Sequence, residues 1–319
     1  MEQHASRALA ATLGAGMSLT NPHALLIWNP IAGRRPERRR TAVEAAAGLL
    51  RAAGWRVDLA ETEAAGGAEP AARRGVAAGY DVLIACGGDG TLAQVGGVIM
   101  DAAATALPKP HLALLPAGTA NVFAREIGAP RNLLAAARAL PHTQPRRIPI
   151  GRATYEDGRV VYFLALASAG FDAHVVAAVG AGEKRRWGKL AFVRTALREL
   201  FRFHAKPMQV RYGDESAEAT LVIFGLAQYY AGGFRLGRRR ALLTPTLVGL
   251  RPGGSVLLAA AHLIAGRLHL APGVFHGEPH AATLSGHAVA LELDGEAAGS
   301  TPVRLDVVPD ALDLLCAVP

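Results

Sequence analysis

Cysteine is scarce: Cys86 and Cys316 are the only two in 319 residues. Each sits in an apolar, strand-like run, which excludes a disulfide framework or a zinc site and leaves buried thiols in a reducing compartment. Long hydrophobic runs are lacking as well. The longest, such as 221–227 and 256–264, fall far short of the roughly twenty residues that cross a bilayer, so a soluble or peripheral protein is expected. Residues 1–20 mix Glu2, His4 and Arg7 into an alanine-rich stretch without a long apolar centre, and no signal peptide is read there. Charge is sparse, at 19% against 51% hydrophobic residues, which excludes a disordered chain. The balance is basic: a net charge of +8 suits a protein that meets polyanions, whether a nucleotide, an anionic bilayer or nucleic acid. No stretch interleaves basic residues with aromatics, so nucleic acid is set aside and an anionic membrane surface leads.

Glycine, by contrast, stands where it can carry chemistry. The apolar run 81–85 stops in Cys86-Gly87-Gly88-Asp89-Gly90-Thr91. Glycine tolerates positive φ and lets a polyanion approach the main chain, so Gly87, Gly88 and Gly90 fit a phosphate cradle. Thr91 is read as the N-cap of a helix from Leu92, whose positive dipole end faces the same anion. Asp89 is the odd member. A carboxylate beside phosphate is repelled unless it holds a metal ion or accepts a proton, and both belong to phosphoryl transfer. Alone, a Gly/Asp tetrapeptide is a tight turn; its company changes that reading. The run 25–28 leads into Asn29-Pro30-Ile31-Ala32-Gly33-Arg34, and 111–115 leads into Pro116-Ala117-Gly118-Thr119-Ala120-Asn121 with a helix-compatible stretch behind it. In a parallel sheet all three junctions lie at the strands' carboxyl ends, where open α/β sheets bind nucleotides.

Alternation of short apolar runs (24–28, 56–59, 82–86, 112–115) with helix-compatible stretches (37–53, 68–78, 92–103, 121–126, 133–139) predicts such a sheet with helical crossovers. Residues 141–149 read as a linker. Beyond them the texture changes: 151–154 and 160–168 form a hairpin pattern around Glu156-Asp157-Gly158, and 208–212, 219–228, 255–261, 281–285 and 289–294 are β-compatible, as in a mainly antiparallel sandwich. Residues 183–206 are the exception, a cationic amphipathic helix with Trp187, Leu190, Val193, Leu197 and Phe201 at helical spacing. It suits an anionic lipid surface and equally a packed stripe with a solvated basic face.

The pieces, in this order, resemble the diacylglycerol kinase catalytic family, which also contains sphingosine kinases and bacterial lipid kinases. The matching residues are the 29–33 loop, Thr62 with Ala68, 87–91, 116–125, Gly170-Phe171-Asp172-Ala173, Lys184-Arg185-Arg186 with Gly188-Lys189-Leu190, Gly232-Gly233, and Asp294-Gly295-Glu296. Together they span about residues 24–315. The resemblance implies an α/β fold with two domains. An N-terminal Rossmann-like nucleotide-binding domain of parallel sheet would cover 22–145, completed by 303–319, and a mainly antiparallel β-sandwich lipid-substrate domain would cover 146–302. It implies an ATP- and Mg²⁺-dependent lipid kinase acting on a hydroxyl of diacylglycerol or a related lipid such as a sphingoid base, cytoplasmic and peripheral at the inner membrane face, with a homodimer left open.

By the same resemblance Asn29, Gly33, Arg34, Thr62, Gly87, Gly88, Gly90, Thr91, Gly118, Thr119 and Asn121 are the nucleotide-side candidates. Asp89 is assigned to Mg²⁺ and phosphate. Asp294, with Glu296, is assigned as base, the reverse assignment with Asp89 staying open. Asp172 and Trp187 are placed on the lipid side. Taken alone, Asp294-Gly295 is a hairpin turn, Arg34 a member of a solvated 34–40 cluster, Asp172 a helix cap, and Thr62 and Asn121 structural caps. Gln94 stands where the family commonly has glutamate. No carboxylate occurs in 244–254, so a second, structural metal site is expected to be missing. Two rival readings remain: NAD kinase, which shares 87–91, and a non-catalytic lipid-binding or regulatory protein on the kinase scaffold.

Overall fold

The structure, a computed structural model, describes residues 19–30, 36–62, 67–102, 109–118, 120–178, 194–195, 198–199, 206–230, 233–237 and 243–316. Four parallel strands, β1 (His23–Trp28), β2 (Arg56–Glu61), β3 (Val82–Gly87) and β4 (His111–Pro116), lie in the order β2-β1-β3-β4. Their side chains alternate between faces, and both faces are buried. Leu25, Ile27, Leu83, Ala85, Leu112 and Leu114 join one cluster with α2 (Ala68–Ala77) and α3 (Asp89–Ala102). Ala24, Leu26, Trp28, Ile84, Cys86 and Leu115 join another with α1 (Pro36–Ala52) and α5 (Leu133–Ala139). On α1 the inward residues Val43, Ala46, Ala47 and Leu50 keep the helical spacing. The three glycine junctions thus leave adjacent strands at one edge.

The second part of the segment expected as a linker, 145–149, is the start of a strand. β5 (Pro145–Tyr155) begins at Pro145, and in it buried Ile148 and Ile150 alternate with exposed or half-buried neighbours. It pairs with β18 (Val303–Leu315) at 303–308 and again at 312–315, on either side of a register shift, and β18 also joins β4 in parallel through Leu314 and Leu315. β18 therefore runs through both halves of the chain, and one ten-stranded sheet continues from the parallel strands into β15 (Ala281–Gly286), β8 (Met208–Tyr212) and β9 (Glu215–Ala219). A bidentate pair from Arg152 to Asp306 (3.2 and 2.7 Å) ties β5 to β18.

A six-stranded antiparallel sheet packs against it, in the order β14 (Val274–Gly277), β13 (Thr246–Leu250), β10 (Leu221–Gly225), β7 (Leu166–Gly170), β16 (Ala290–Leu293) and β17 (Glu296–Ser300). Phe163, Phe224, Leu247, Phe275, Leu284 and Leu305 fill the space between the sheets. The expected 160–168 strand is two: β6 (Val160–Phe163) belongs to the first sheet and β7 to the second, with the chain crossing at 164–165. This crossing proves central to the site.

The expected strand at 255–261 is a helix, named α7 here (Val256–Ile264), after α4 (Val122–Glu126) and α6 (Phe171–Ala178). An apolar run of this length has no period that separates strand from helix, and Ser255 decides it by accepting the Leu258 N–H (3.3 Å) as N-cap. Most of 183–206, Trp187 included, lies outside the described residues. Among those described, no helix is long and apolar enough to cross a membrane.

Candidate active site

Helix α3 starts at Asp89, so Thr91 lies inside its first turn and is not the N-cap. Its side chain serves the preceding loop: a Cβ on Gly87 would stand 2.4 Å from Thr91 Oγ1. The two glycine loops are stitched main chain to main chain. The N–H groups of Ala117 and Gly118 donate to Gly87 O (2.8 and 3.1 Å), and a Cβ on Gly118 would lie 2.5 Å from Gly88 Cα. Asn121, at φ +48°, brackets Gly118, accepting its N–H at Oδ1 (3.0 Å) and donating from Nδ2 to its carbonyl (3.1 Å). Asn121 is thus a loop clasp, and the Gly118 amide is spent inside the loop.

Asp89 supplies the cap that Asn121 does not. Its two carboxylate oxygens accept the N–H groups of Val122 (2.9 Å) and Phe123 (2.8 Å) at the start of α4. Burial pushes its carboxyl above the usual range, and those donors pull the other way. The far end of α4 is anchored as well: buried Glu126 accepts the Gln228 N–H (2.8 Å) and its Nε2 (3.2 Å), tying the helix to the segment after β10.

Asp294 and Gly295 form the two-residue turn between β16 and β17, with φ of +50° and +84°. The hairpin and the candidate catalytic turn are the same object. The Asp294 carboxylate accepts three backbone N–H groups, from Leu164 (2.7 Å), Ala165 (2.9 Å) and Leu166 (2.9 Å), where the chain crosses between sheets. Burial nevertheless pushes its carboxyl up to about 7, and the charge of Asp89 adds to the rise. Glu296 reaches the glycine loop: a Cβ on Gly90 would lie 2.5 Å from its Oε1, and Gln94 Nε2 donates to its Oε2 (3.4 Å). The structure therefore brings Gly87–Thr91, Pro116–Gly118 with Asn121, and Asp294–Glu296 together from separate parts of the chain.

Thr62 ends β2 beside Trp28, whose carbonyl takes its N–H (3.0 Å). Its buried hydroxyl has no hydrogen-bond partner among the described residues. Asn29 follows β1. Arg39 is a residue the sequence hid among solvated arginines: half-buried, it donates from its two terminal nitrogens to Asn29 O (3.3 Å) and to Ala117 O, bracing two loops. Gly33, Arg34, Thr119 and Trp187 lie outside the described residues.

Asp172 stands in the first turn of α6 without capping it. Ser168 Oγ bridges Asp172 Oδ2 (2.7 Å) and Glu292 Oε1 (2.8 Å), the Tyr230 hydroxyl donates to Asp172 Oδ1, and Glu292 Oε2 accepts the Gly295 N–H (2.6 Å). A hydroxyl has one hydrogen, so one of the two carboxyls must carry a proton to complete the bridge. Burial pushes both carboxyls above the usual carboxylate range; Asp172 also accepts the Tyr230 hydroxyl, which favours its ionised form and leaves Glu292 as the protonated partner. Sequence gave no signal for Glu292, Ser168 or Tyr230.

Because the folded state holds that proton, the contribution of Glu292 to stability is present at acid pH and lost as pH rises through its raised folded value. Glu292→Gln reproduces the protonated pattern without titrating. Urea unfolding at pH 6 and pH 8 is expected to shift in favour of the variant at the higher pH. A constant difference between the two would remove Glu292 as the titrating member.

The carboxylates of Asp89, Asp294 and Glu296 set what the site can hold. Among the described residues no three His, Cys, Asp or Glu side chains form a ready metal cage. Mg²⁺ bound with substrate phosphates needs only one or two carboxylates, and Glu296, exposed and bonded only weakly to Gln94, fits that part better than the doubly engaged Asp89.

Residues 23–153 match the family model described as the diacylglycerol kinase catalytic domain. Residues 165–316 match the YegS C-terminal NAD kinase beta sandwich-like domain. A Pseudomonas putida protein named "Probable lipid kinase YegS-like" is 30% identical over 277 residues, 85% of this chain and 89% of that one. A Staphylococcus saprophyticus protein named "Diacylglycerol kinase" is 30% identical over 211 residues, 66% of each chain. The solved structure of "a putative diacylglycerol kinase from Bacillus anthracis str. Sterne" shares the fold at a TM-score of 0.75 and 21% identity, covering 95% of this chain and 98% of that one.

Proposed function

This chain belongs to the diacylglycerol kinase family of lipid kinases, and from that premise we propose that it transfers the γ-phosphoryl group of ATP to a hydroxyl of diacylglycerol or a related lipid alcohol at the cytoplasmic membrane face. The observation that carries the reading is the position of the Asp294-Gly295-Glu296 turn on the Gly87–Thr91 loop, with Glu296 against Gly90. Nucleotide phosphates lie at the carboxyl edge of β1, β3 and β4, on the N-terminus of α3 and beside the Thr62 hydroxyl, which has no partner among the described residues. Glu296, with a remaining lone pair of Asp89, would hold Mg²⁺, which would neutralise triphosphate charge.

Asp294 takes the acceptor proton. As the lipid oxygen bonds to the γ-phosphorus, the bond from that phosphorus to the β–γ bridging oxygen breaks, ADP leaves, and the hydroxyl proton passes to the Asp294 carboxylate. A carboxyl near 7 is half-ionised at neutral pH, which suits a base that must first be free and then hold a proton. Asp172, under the same turn, faces the acceptor side. The nucleotide-binding half is taken as 22–145, completed by the end of β18 where it pairs with β4, and the lipid-side half as 146–302.

The test is phosphate transfer from labelled ATP to a panel of lipid alcohols, with NAD as one arm. Labelled phosphatidic acid or another lipid phosphate is the expected product. NADP as the sole product would overturn the reading.

A further inference from the structure

Helix α7 has no buried residue. Leu257, Leu258 and Ile264 on it are 57%, 42% and 68% exposed, and Leu270 just after it is 61% exposed. A nine-residue helix of sequence VLLAAAHLI with these side chains in water is a cost of folding that nothing inside the described chain repays. Ala259 and Leu263 alone rest on the core, which fixes the helix with its larger residues outward.

The patch is not scattered. Seven large hydrophobic residues are exposed among those described; four are the ones just named, and a fifth, Phe234, belongs to β12 (Phe234–Arg235), on which α7 packs. Its charge is one-sided. Residues 219–277 contain no aspartate or glutamate and six arginines. Of these, Arg251 and Arg267 are exposed beside α7, and Arg235 is half-buried on β12. A helix with exposed aliphatic residues, exposed arginines before and after it in the chain and no carboxylate in 219–277 complements an anionic bilayer. The aliphatics enter the acyl boundary and each arginine meets a headgroup.

The patch is also joined to the site. β12 pairs with β11 (Tyr229–Tyr230). Tyr230 bonds Asp172, and Arg125 of α4, the helix capped by Asp89, lies over the Tyr229 ring at 4.5 Å from its centroid.

We infer that α7, with Leu270 and its neighbouring arginines, is the surface by which the protein docks on anionic membrane, presenting the Asp172 side of the site to the lipid layer; the inference rests on the lipid-kinase reading for its purpose, not for its chemistry. The experiment is sedimentation of the full-length protein with phosphatidylglycerol/phosphatidylcholine vesicles, without nucleotide or lipid alcohol. Leu257→Asp/Ile264→Asp is expected to reduce vesicle binding at least tenfold, and Arg251→Glu/Arg267→Glu to do the same on anionic but not on pure phosphatidylcholine vesicles. Turnover on a short-chain acceptor dissolved as monomer stays within twofold of wild type.

Wild-type binding by the Asp double variant overturns the proposal. So does a lowered melting temperature in that variant and in Leu270→Asp, which would mean the chain's own residues cover the face. A dimer that the same substitutions dissociate, with vesicle binding intact, would assign the face to a second copy. Vesicle binding that survives while no lipid alcohol is phosphorylated would sink the kinase reading and leave the surface standing.

Discussion

Asp294→Asn is expected to lower the turnover of lipid phosphorylation by about a thousandfold, within the usual contribution of a positioned general base, with little change in ATP affinity. Asparagine keeps an oxygen for the N–H groups of Ala165 and Leu166, sets its amide nitrogen against the Leu164 N–H, and cannot take a proton. The pH profile separates chemistry from folding. With its carboxyl near 7, the wild-type rate should rise about tenfold per pH unit below that value and level off above it, because only the ionised form accepts the proton. The variant's residual rate should lack that limb. Stability runs the other way: the raised folded value means that the contribution of Asp294 is present at low pH and lost as pH rises through about 7, so the stability difference between wild type and variant should narrow from pH 6 to pH 8. A variant that turns over within tenfold of wild type would move the base to another residue, with Asp89 next in line.

Gly118→Ala should be nearly as damaging, for a reason that involves no charge. Its Cβ would stand 2.5 Å from Gly88 Cα and 3.0 Å from Gly88 N, both main chain, so no rotamer change relieves it. Either the 87–90 loop or the 116–121 loop must shift. The expected results are a loss of about 1–3 kcal/mol of stability, as for an overpacked site, and at least a tenfold loss of ATP affinity. Gly48→Ala on α1 is the control, since nothing lies within 4 Å of its added Cβ and alanine favours the helix. Unchanged ATP affinity in Gly118→Ala, measured beside that control, would show that the contact between the loops does not shape the nucleotide site.

Much of the first half was legible because its signals are local. Strand and helix positions followed from apolar period and glycine punctuation, and α5 came at the residues expected, 133–139. Failures fell where local signals are degenerate or a distant partner decides. The run 255–261 has neither a strand nor a helix period, and one capping serine settled it. Residues 145–149, with two prolines and two arginines, look like a linker until β18 pairs with them. Thr91 looks like a cap until the helix begins two residues earlier.

The candidate site divides in the same way. Sequence by itself singled out the loops that the fold then brings together, since a glycine run after an apolar strand and an Asp-Gly hairpin turn are properties of adjacent residues. Only the tertiary structure decided what each side chain does there. Asp89 spends its oxygens on α4, Asp294 sits in a ring of amides made where the chain changes sheets, and Glu292 shares a proton with Asp172 through Ser168. These roles depend on hydrogen bonds and burial between residues 30 to 130 positions apart. Desolvation and partner geometry, which set a carboxylate's proton affinity, exist only once those segments have packed together.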